Sequence, residues 1–214
     1  MSEKVVKGIH YAILTIIAIA FVLPLVWLIL ASLDTGANAT LKLPDSWTLD
    51  NFVGVLTDKA NLRAFGIGLA IAAIQSLMVV LVSGLAAYPL SRYNLRYKSG
   101  FLYGILFMTA LPMIAVVVPV YKMFSSMGIL DSIPGVILYL TASSLPYGIW
   151  LMKNFMDGVP KELEEAAWVD GATTMQSIRK IVAPLMFPGI CVVFIYTFSG
   201  SWGNFFIPYI LLSS

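Results

Sequence analysis

Residues 64–91 read AFGIGLAIAAIQSLMVVLVSGLAAYPLS, from Ala64 to Ser91 without one Asp, Glu, Lys or Arg. A helix needs about 20 apolar residues to cross a hydrocarbon core about 30 Å thick, and this stretch exceeds that. Working outward from it, four more charge-free stretches appear: Gly8–Leu33, Ser99–Tyr121, Ser132–Met152 and Ile181–Ser214. Each is long enough for one span. The last, at 34 residues, is too long for one helix and too short for two with a turn. It reads as a fifth helix followed by an external segment. The expected fold is all-α: a polytopic helical membrane protein, one transmembrane domain over 1–214. Its spans are expected near 11–33, 65–90, 100–121, 133–152 and 182–203.

The whole-chain composition agrees. Of 214 residues, 59% are hydrophobic and 11% charged, and the mean hydropathy is +0.89. A soluble domain carries about 25% charge, so this chain lacks the polar surface a water-soluble globule needs. A cytosolic enzyme, a disordered chain and a nucleic-acid binder are thereby excluded, and the net charge of +2 calls for no polyanionic partner. One cysteine, Cys191, forbids an internal disulfide or a cysteine metal cluster. The single histidine, His10, sits at a helix end and makes no metal site.

Orientation follows from Lys and Arg in the connections. With the N-terminus inside, Lys4, Lys7, Arg92, Arg96, Lys98, Lys153, Lys161, Arg179 and Lys180 face the cytoplasm. Lys42, Lys59, Arg63 and Lys122 stay outside. Nine against four favours this arrangement. The Ala37-Asn38-Ala39 triplet resembles a cleavage site, but the apolar run from Tyr11 to Leu33 exceeds the ~7–15 residues of a signal core, so an uncleaved first helix is expected.

The spans hold no carboxylate, lysine or arginine. Such groups are retained in membranes mainly for ion coupling or catalysis, so a charge-relay carrier and an intramembrane aspartyl protease are disfavoured. Pro112 and Pro119 in the third span, Pro146 in the fourth and Pro184 and Pro188 in the fifth free backbone carbonyls and kink helices. Helices kinked in this way suggest a bundle lining a path. Gly100-x-x-x-Gly104, Ser83-Gly84 and Gly66-x-Gly68 are expected to let helices approach closely. Tyr88, Tyr139, Tyr147, Trp150, Tyr196 and Asn204 offer aromatic faces and neutral hydrogen-bonding groups, which suit a polyol better than a charged solute.

The longest connection, 153–181, has its own pattern. A first short helix is expected from Pro160, a favoured first-turn residue, with Glu162, Glu164 and Glu165 near its positive end. Leu163, Ala166 and Ala167 share one face by i, i+3, i+4 spacing, and Gly171 stops the helix. A second helix starts at Thr173, with Gln176 completing a capping box and Arg179 and Lys180 closing it. This helix–glycine–helix elbow has a small apolar face. It suits either insertion into a partner's groove or a place on the inner leaflet.

Glu165-Ala166-Ala167-x3-Gly171-x9-Ile181-x-x-Pro184 resembles the EAA loop of membrane subunits of binding-protein-dependent ABC importers. Ala183 stands where leucine is usual. Asp170-Gly171-Ala172 is similar to the maltose-type carbohydrate subfamily. Pro24-Leu25-x-Trp27, Trp47-Thr48-Leu49-Asp50-Asn51-Phe52, Leu85-Ala86-Ala87-Tyr88-x3-Arg92 and Pro112-x6-Pro119-x-Tyr121 extend the likeness over essentially the whole chain. Trp202-Gly203-Asn204-Phe205 departs from the family's Trp-Asn-acid-Phe, and the family usually has a sixth span, so these residues correspond to a fragment of its length.

The resemblance implies a type I ABC importer transmembrane domain in a bacterial or archaeal plasma membrane. Its partners would be a second, paralogous permease, two ATPase subunits and an external or periplasmic solute-binding protein. ATP and magnesium would be bound by the ATPase, and this chain carries no G-x4-G-K-[ST] loop and no cofactor. Leu163, Glu165, Ala166, Ala167, Asp170, Gly171, Ile181 and Pro184 would couple to the ATPase. Pro112, Pro119, Tyr147 and Asn204 would line the path for a mono- or oligosaccharide. Other small solutes (an amino acid, polyamine or phosphate ester) or a stand-alone secondary carrier are the competing readings.

Overall fold

The computed structural model describes residues 3–38, 40 and 42–212; Ala39, the last residue of the cleavage-like triplet, lies outside the described residues. These residues are helical apart from turns and one isolated bridge between Asp34 and Trp47. Backbone contacts group the chain into two compact units, 1–65 and 66–214, with the boundary inside a helix.

In the first unit, α1 (Glu3–Ser32) is apolar on every side, the composition of a helix solvated by lipid. Beyond it the chain folds into a clasp. Trp27 donates its indole N–H to the carbonyls of Asn38 and Thr40, at 3.3 and 3.2 Å. The Asn51 amide donates to the carbonyls of Ser32 and Asp34, and Lys42 sits 3.3 Å from the buried Asp34 carboxylate. A short α2 (Asp50–Thr57) follows.

The second unit is organised on α3 (Lys59–Arg92) and α6 (Ile133–Asp157). Ser132 caps α6 by accepting from the Gly135 N–H. Two apolar clusters sit one after the other along α6. One joins Ile71, Val117, Phe124, Val136, Leu140, Ile207 and Leu211; the other joins Val79, Ala87, Met152, Met156, Val159, Val182, Met186 and Val193. Between them lies a buried neutral polar layer. The Gln75 side-chain amide, fully buried, donates to the Leu140 carbonyl and the Ser144 hydroxyl, and Ser76 donates to the Ala72 carbonyl. Interhelical bonds of this kind hold apolar helices together where lipid supplies no hydrophobic drive.

The expected third span, 100–121, is not one helix. It is α4 (Lys98–Met108) and α5 (Met113–Met127), turned 92° from one another. At 1.5 Å per residue these reach only ~16 and ~22 Å, so neither crosses alone. Pro112 causes the break. It disfavours helical backbone in the residue before it and is itself extended, at φ −61 and ψ 127. The freed backbone is satisfied locally by tight turns, Thr109 and Ala110 N–H to the carbonyls of Leu106 and Phe107.

The expected fifth span, 182–203, also differs. One helical run covers α8 (Thr174–Ser177), a π segment (Ile178–Val182) and α9 (Ala183–Leu185), and bends 70° into α10 (Phe187–Trp202). The fourth span is longer than its charge-free stretch. Lys153 and Asp157, one turn apart on α6, pair with each other and keep the charged end helical. A last helix, α11 (Phe206–Leu211), packs against α5 and α6 and accepts the Asp131 N–H at the Leu211 carbonyl.

The close helix approaches are not at the glycines singled out in the sequence. A Cβ at Gly66, Gly84, Gly100 or Gly104 would meet nothing within 4 Å, and at Gly68 it would make only ordinary contact. The tight sites are Gly148, where a Cβ would fall 2.8 Å from Val79, and Gly189, where it would fall 2.6 Å from the Phe155 ring. Small-xxx-small spacing records only that a close approach is possible; which face meets a neighbour depends on the three-dimensional packing.

Candidate functional site

The elbow between α6 and α10 is the most elaborately capped part of the chain. Its first helix, α7 (Glu162–Val169), starts two residues after the expected Pro160, with Lys161 as N-cap. The helix ends in a Schellman arrangement. The Ala172 N–H donates to the Ala167 carbonyl at 2.9 Å, the Gly171 N–H donates to the Trp168 carbonyl at 3.0 Å, and Gly171 takes φ +85. That is the left-handed region in which glycine alone pays no Cβ penalty. Thr173 and Gln176 then close a reciprocal capping box on α8. Arg179 and Lys180 do not close the second helix as expected, because the π segment carries it on to Leu185.

The three glutamates of α7 part company. Glu165 is exposed, whereas Glu164 is 1% exposed and points into the bundle. Its carboxylate pairs with the Arg92 guanidinium at the end of α3 and accepts a hydrogen bond from the Tyr88 hydroxyl at 2.9 Å. Arg92 donates further to the Met156 carbonyl and the Ser91 hydroxyl, both at 3.2 Å. Ser91 donates to Asp157 at 2.7 Å. The elbow is thus tied to the ends of both α3 and α6. Val159, Val182 and Met186, which flank it, are buried in the second apolar cluster.

The outward surface of the elbow is apolar. Leu163, Trp168, Val169 and Met175 are exposed, Val169 to 88%, beside exposed Glu165 and Ala166. These side chains leave apolar surface of the elbow open to a partner. Of the residues expected to couple, Leu163, Glu165, Ala166, Ala167, Asp170 and Gly171 share this one helix and its cap. Ile181, half-buried, lies in the π segment and Pro184, exposed, in α9, which follow directly.

The residues expected along a path are scattered. Pro112 and Pro119 are exposed, at the N-cap and inside α5. Asn204 is occupied as a cap, its side-chain oxygen accepting the Ile207 N–H at 3.1 Å. Tyr139 is buried in the first apolar cluster and Tyr88 is bound to Glu164. What does assemble is an aromatic group on α6 and α10: Tyr147 lies 4.7 Å from Tyr196 and 5.7 Å from Trp150, ring centre to ring centre.

Glu164 and Arg92 carry roles that the sequence reading did not give them. The periodicity of α3 places Tyr88 and Arg92 four apart on one face, which signals a shared contact. Nothing local distinguishes Glu164 from Glu165, since both suit the positive end of a helix.

The sequence matches the family model described as binding-protein-dependent transport system inner membrane component, over residues 79–214. The chain is 30% identical, over 207 residues, to a sulfoquinovosyl glycerol transport system permease protein of Agrobacterium fabrum, covering 94% of this chain and 72% of that protein. It is 30% identical over 207 residues to a trehalose transport system permease protein of Mycobacterium tuberculosis, covering 92% of this chain and 73% of that one. A maltodextrin transport system permease protein of Bacillus subtilis is 29% identical over 95% of this chain and 74% of its own length. In fold, the chain is similar to one in a crystal structure of a bacterial ABC transporter involved in the import of the acidic polysaccharide alginate. The TM-score is 0.79 at 23% identity, covering 100% of this chain and 77% of that one.

Proposed function

The chain belongs to the family of binding-protein-dependent transport system inner membrane components, and from that premise we propose that it forms the path of a carbohydrate across the membrane, driven through the elbow. It is a transporter subunit and not an enzyme, with the fold of a type I ABC importer membrane domain. Family membership brings an ATPase and a solute-binding protein as partners. The substrate class rests on relatives named for sulfoquinovosyl glycerol, trehalose and maltodextrin, together with spans free of charge and an aromatic group at Tyr147, Tyr196 and Trp150.

The single observation that carries the mechanism is the elbow's two-sidedness. Its outer face, Leu163, Glu165, Ala166 and Val169, is free for a partner, while its inner face is bonded to α3 through Glu164 and its second helix runs unbroken into α9. A cytoplasmic ATPase that grips the outer face moves α3 and α10 with it. ATP and magnesium are held by that subunit, a second permease completes the path, and the N-terminus lies in the cytoplasm. Nucleotide and sugar then influence one another through the states each favours.

Two measurements test this. In a full-length permease, Glu165→Lys or Gly171→Val should leave membrane insertion intact, weaken co-purification of the ATPase and abolish sugar uptake, while Lys161→Ala does little. Normal attachment and uptake in both variants would remove the elbow from the mechanism. In a Cys191→Ser background, an impermeant reagent applied to intact cells should label Asn51→Cys and Asp131→Cys but not Arg96→Cys or Glu165→Cys; labelling at position 165 would reverse the orientation.

A further inference from the structure

A groove of about 490 Å³ opens between the last turns of α3 and the first turns of α4, a place the elbow does not use. Its floor is apolar: Ala86, Pro89 and Leu90 from α3, Leu95 from the connecting turn and Phe101 from α4. Its rim is basic, formed by Arg96 and Lys98, and no acidic side chain lines it. Among the described residues, neither cation has a carboxylate within ion-pair distance. Asp157, the acid that senses Lys98, is already paired with Lys153. Arg96 lies over the Tyr97 ring, 5.6 Å from its centre, so the guanidinium is held at the rim while its hydrogen-bond donors remain free for an anion.

We infer that this groove binds an anionic glycerophospholipid, its phosphate between Arg96 and Lys98 and an acyl chain along Pro89, Leu90 and Phe101. Three features select that occupant. The cations follow the last turn of α3, a helix long and apolar enough to cross a membrane, and each Lys or Arg flanking a span attracts acidic lipid by about 1 kcal/mol. The apolar floor is useless to free phosphate and is matched by an acyl chain. The N-terminus of α4, whose N-cap Tyr97 supplies no side-chain cap bond, adds the positive end of an 11-residue helix on the same side. A zwitterionic lipid fills the floor equally well but carries a compensating positive charge to a rim that offers two.

The site stands directly behind the elbow's anchor. Pro89 and Leu90 face the groove, while Tyr88 and Arg92, on the same turns of α3, hold Glu164. A lipid seated there stiffens the segment to which the elbow is tied.

The test uses the full-length permease, assembled with its second permease and ATPase, in nanodiscs of phosphatidylethanolamine with increasing phosphatidylglycerol, then native mass spectrometry of the lipid retained on this chain after release, which needs no transport assay. The expected result is one retained phosphatidylglycerol per chain, not displaced by millimolar inorganic phosphate. Arg96→Gln and Lys98→Gln, both in the connecting segment, should each lower retention roughly fivefold. The charge-keeping pair Arg96→Lys with Lys98→Arg should retain it. Ala86→Phe should lose it with both cations present. Equal retention of the two lipids, displacement by phosphate, or full retention by the double glutamine variant would overturn the assignment. So would absence of the lipid from the assembled importer, because the groove would then belong to a subunit contact.

Discussion

Glu164 and Arg92 form a buried ion pair across 72 residues of chain, with side chains 1% and 6% exposed. Removing one partner of such a pair leaves an uncompensated buried charge and costs about 3–5 kcal/mol, whereas replacing both with apolar residues of similar volume is close to neutral. Arg92→Leu and Glu164→Leu are therefore expected to destabilise strongly one at a time and weakly together. Denaturant unfolding in detergent, run as a double-mutant cycle, measures this; additive effects would show that the pair does not act as a unit. Uptake should fall in the double variant even where stability recovers, because the elbow is no longer tied to α3.

Gly171 holds φ +85 with open space around it, so a side chain there is opposed by backbone conformation and not by collision. Gly171→Ala is expected to cost about 1–2 kcal/mol at the helix stop. Gly104→Ala, inside α4 and equally unobstructed, should be neutral or stabilising. Hydrogen exchange at the Ala172 amide, bonded to the Ala167 carbonyl, reads the difference. Equal exchange in wild type and Gly171→Ala would mean the cap tolerates a side chain.

Gly189 faces Phe155 at a distance no Cβ occupies, 2.6 Å, and Gly148 faces Val79 at 2.8 Å. Gly189→Ala and Gly148→Ala should each destabilise by about 1–3 kcal/mol, the cost of an overpacked contact. Phe155→Leu introduced beside Gly189→Ala should return little of that loss, because leucine keeps the Cβ and Cγ that lie 2.7 and 2.6 Å from the new methyl group. A thermal-shift series in detergent decides it, and an unchanged midpoint in either alanine variant would show that the contact relaxes without cost.

The clasp that follows α1 carries a pH signature. The Gly36 N–H, donating to the Asp34 carboxylate at 3.2 Å, lowers its pKa below the ordinary 3.8, against burial and with help from Lys42. Lys42 is raised above its ordinary 10.5, first by its hydrogen bond to Asp45, against burial, and further by its bond to Asp34. A depressed acid stabilises the fold above its unfolded pKa and loses that contribution as pH falls through the folded value. A raised lysine stabilises below its unfolded pKa and loses that as pH rises through the folded one. The environment of Trp27, bonded to the clasp, should thus stay constant between 3.8 and 10.5 and change only outside that window. Tryptophan fluorescence with Trp27 as the sole reporter tests it, and Asp34→Asn should remove the acid transition.

Helices and their caps are largely local matters, and they were legible. The Gly171 stop and the Thr173–Gln176 box follow from residue type and spacing alone. So does the exposed Glu165 and Ala166 surface, given the family motif. What depended on distant packing was not legible. Charge-free length marks residues 100–121 as apolar enough for a span but does not show that Pro112 divides them at 92°. Three glutamates in one turn look alike until α3 brings Arg92 to one of them. Gly148 and Gly189 are unremarkable in sequence and become critical only where Val79 and Phe155 meet them.

The π segment at Ile178–Val182 winds one residue more into its turn than the α-helix on either side. One residue of α-helix is about 100° of rotation. The five-residue π segment therefore turns about as far as four α-helical residues would, and the Thr173 cap upstream keeps its phase with the buried Val182 and Met186 downstream. Deleting exposed Arg179 or Lys180 would let this turn close as ordinary α-helix, with the elbow upstream and the buried residues downstream still in phase.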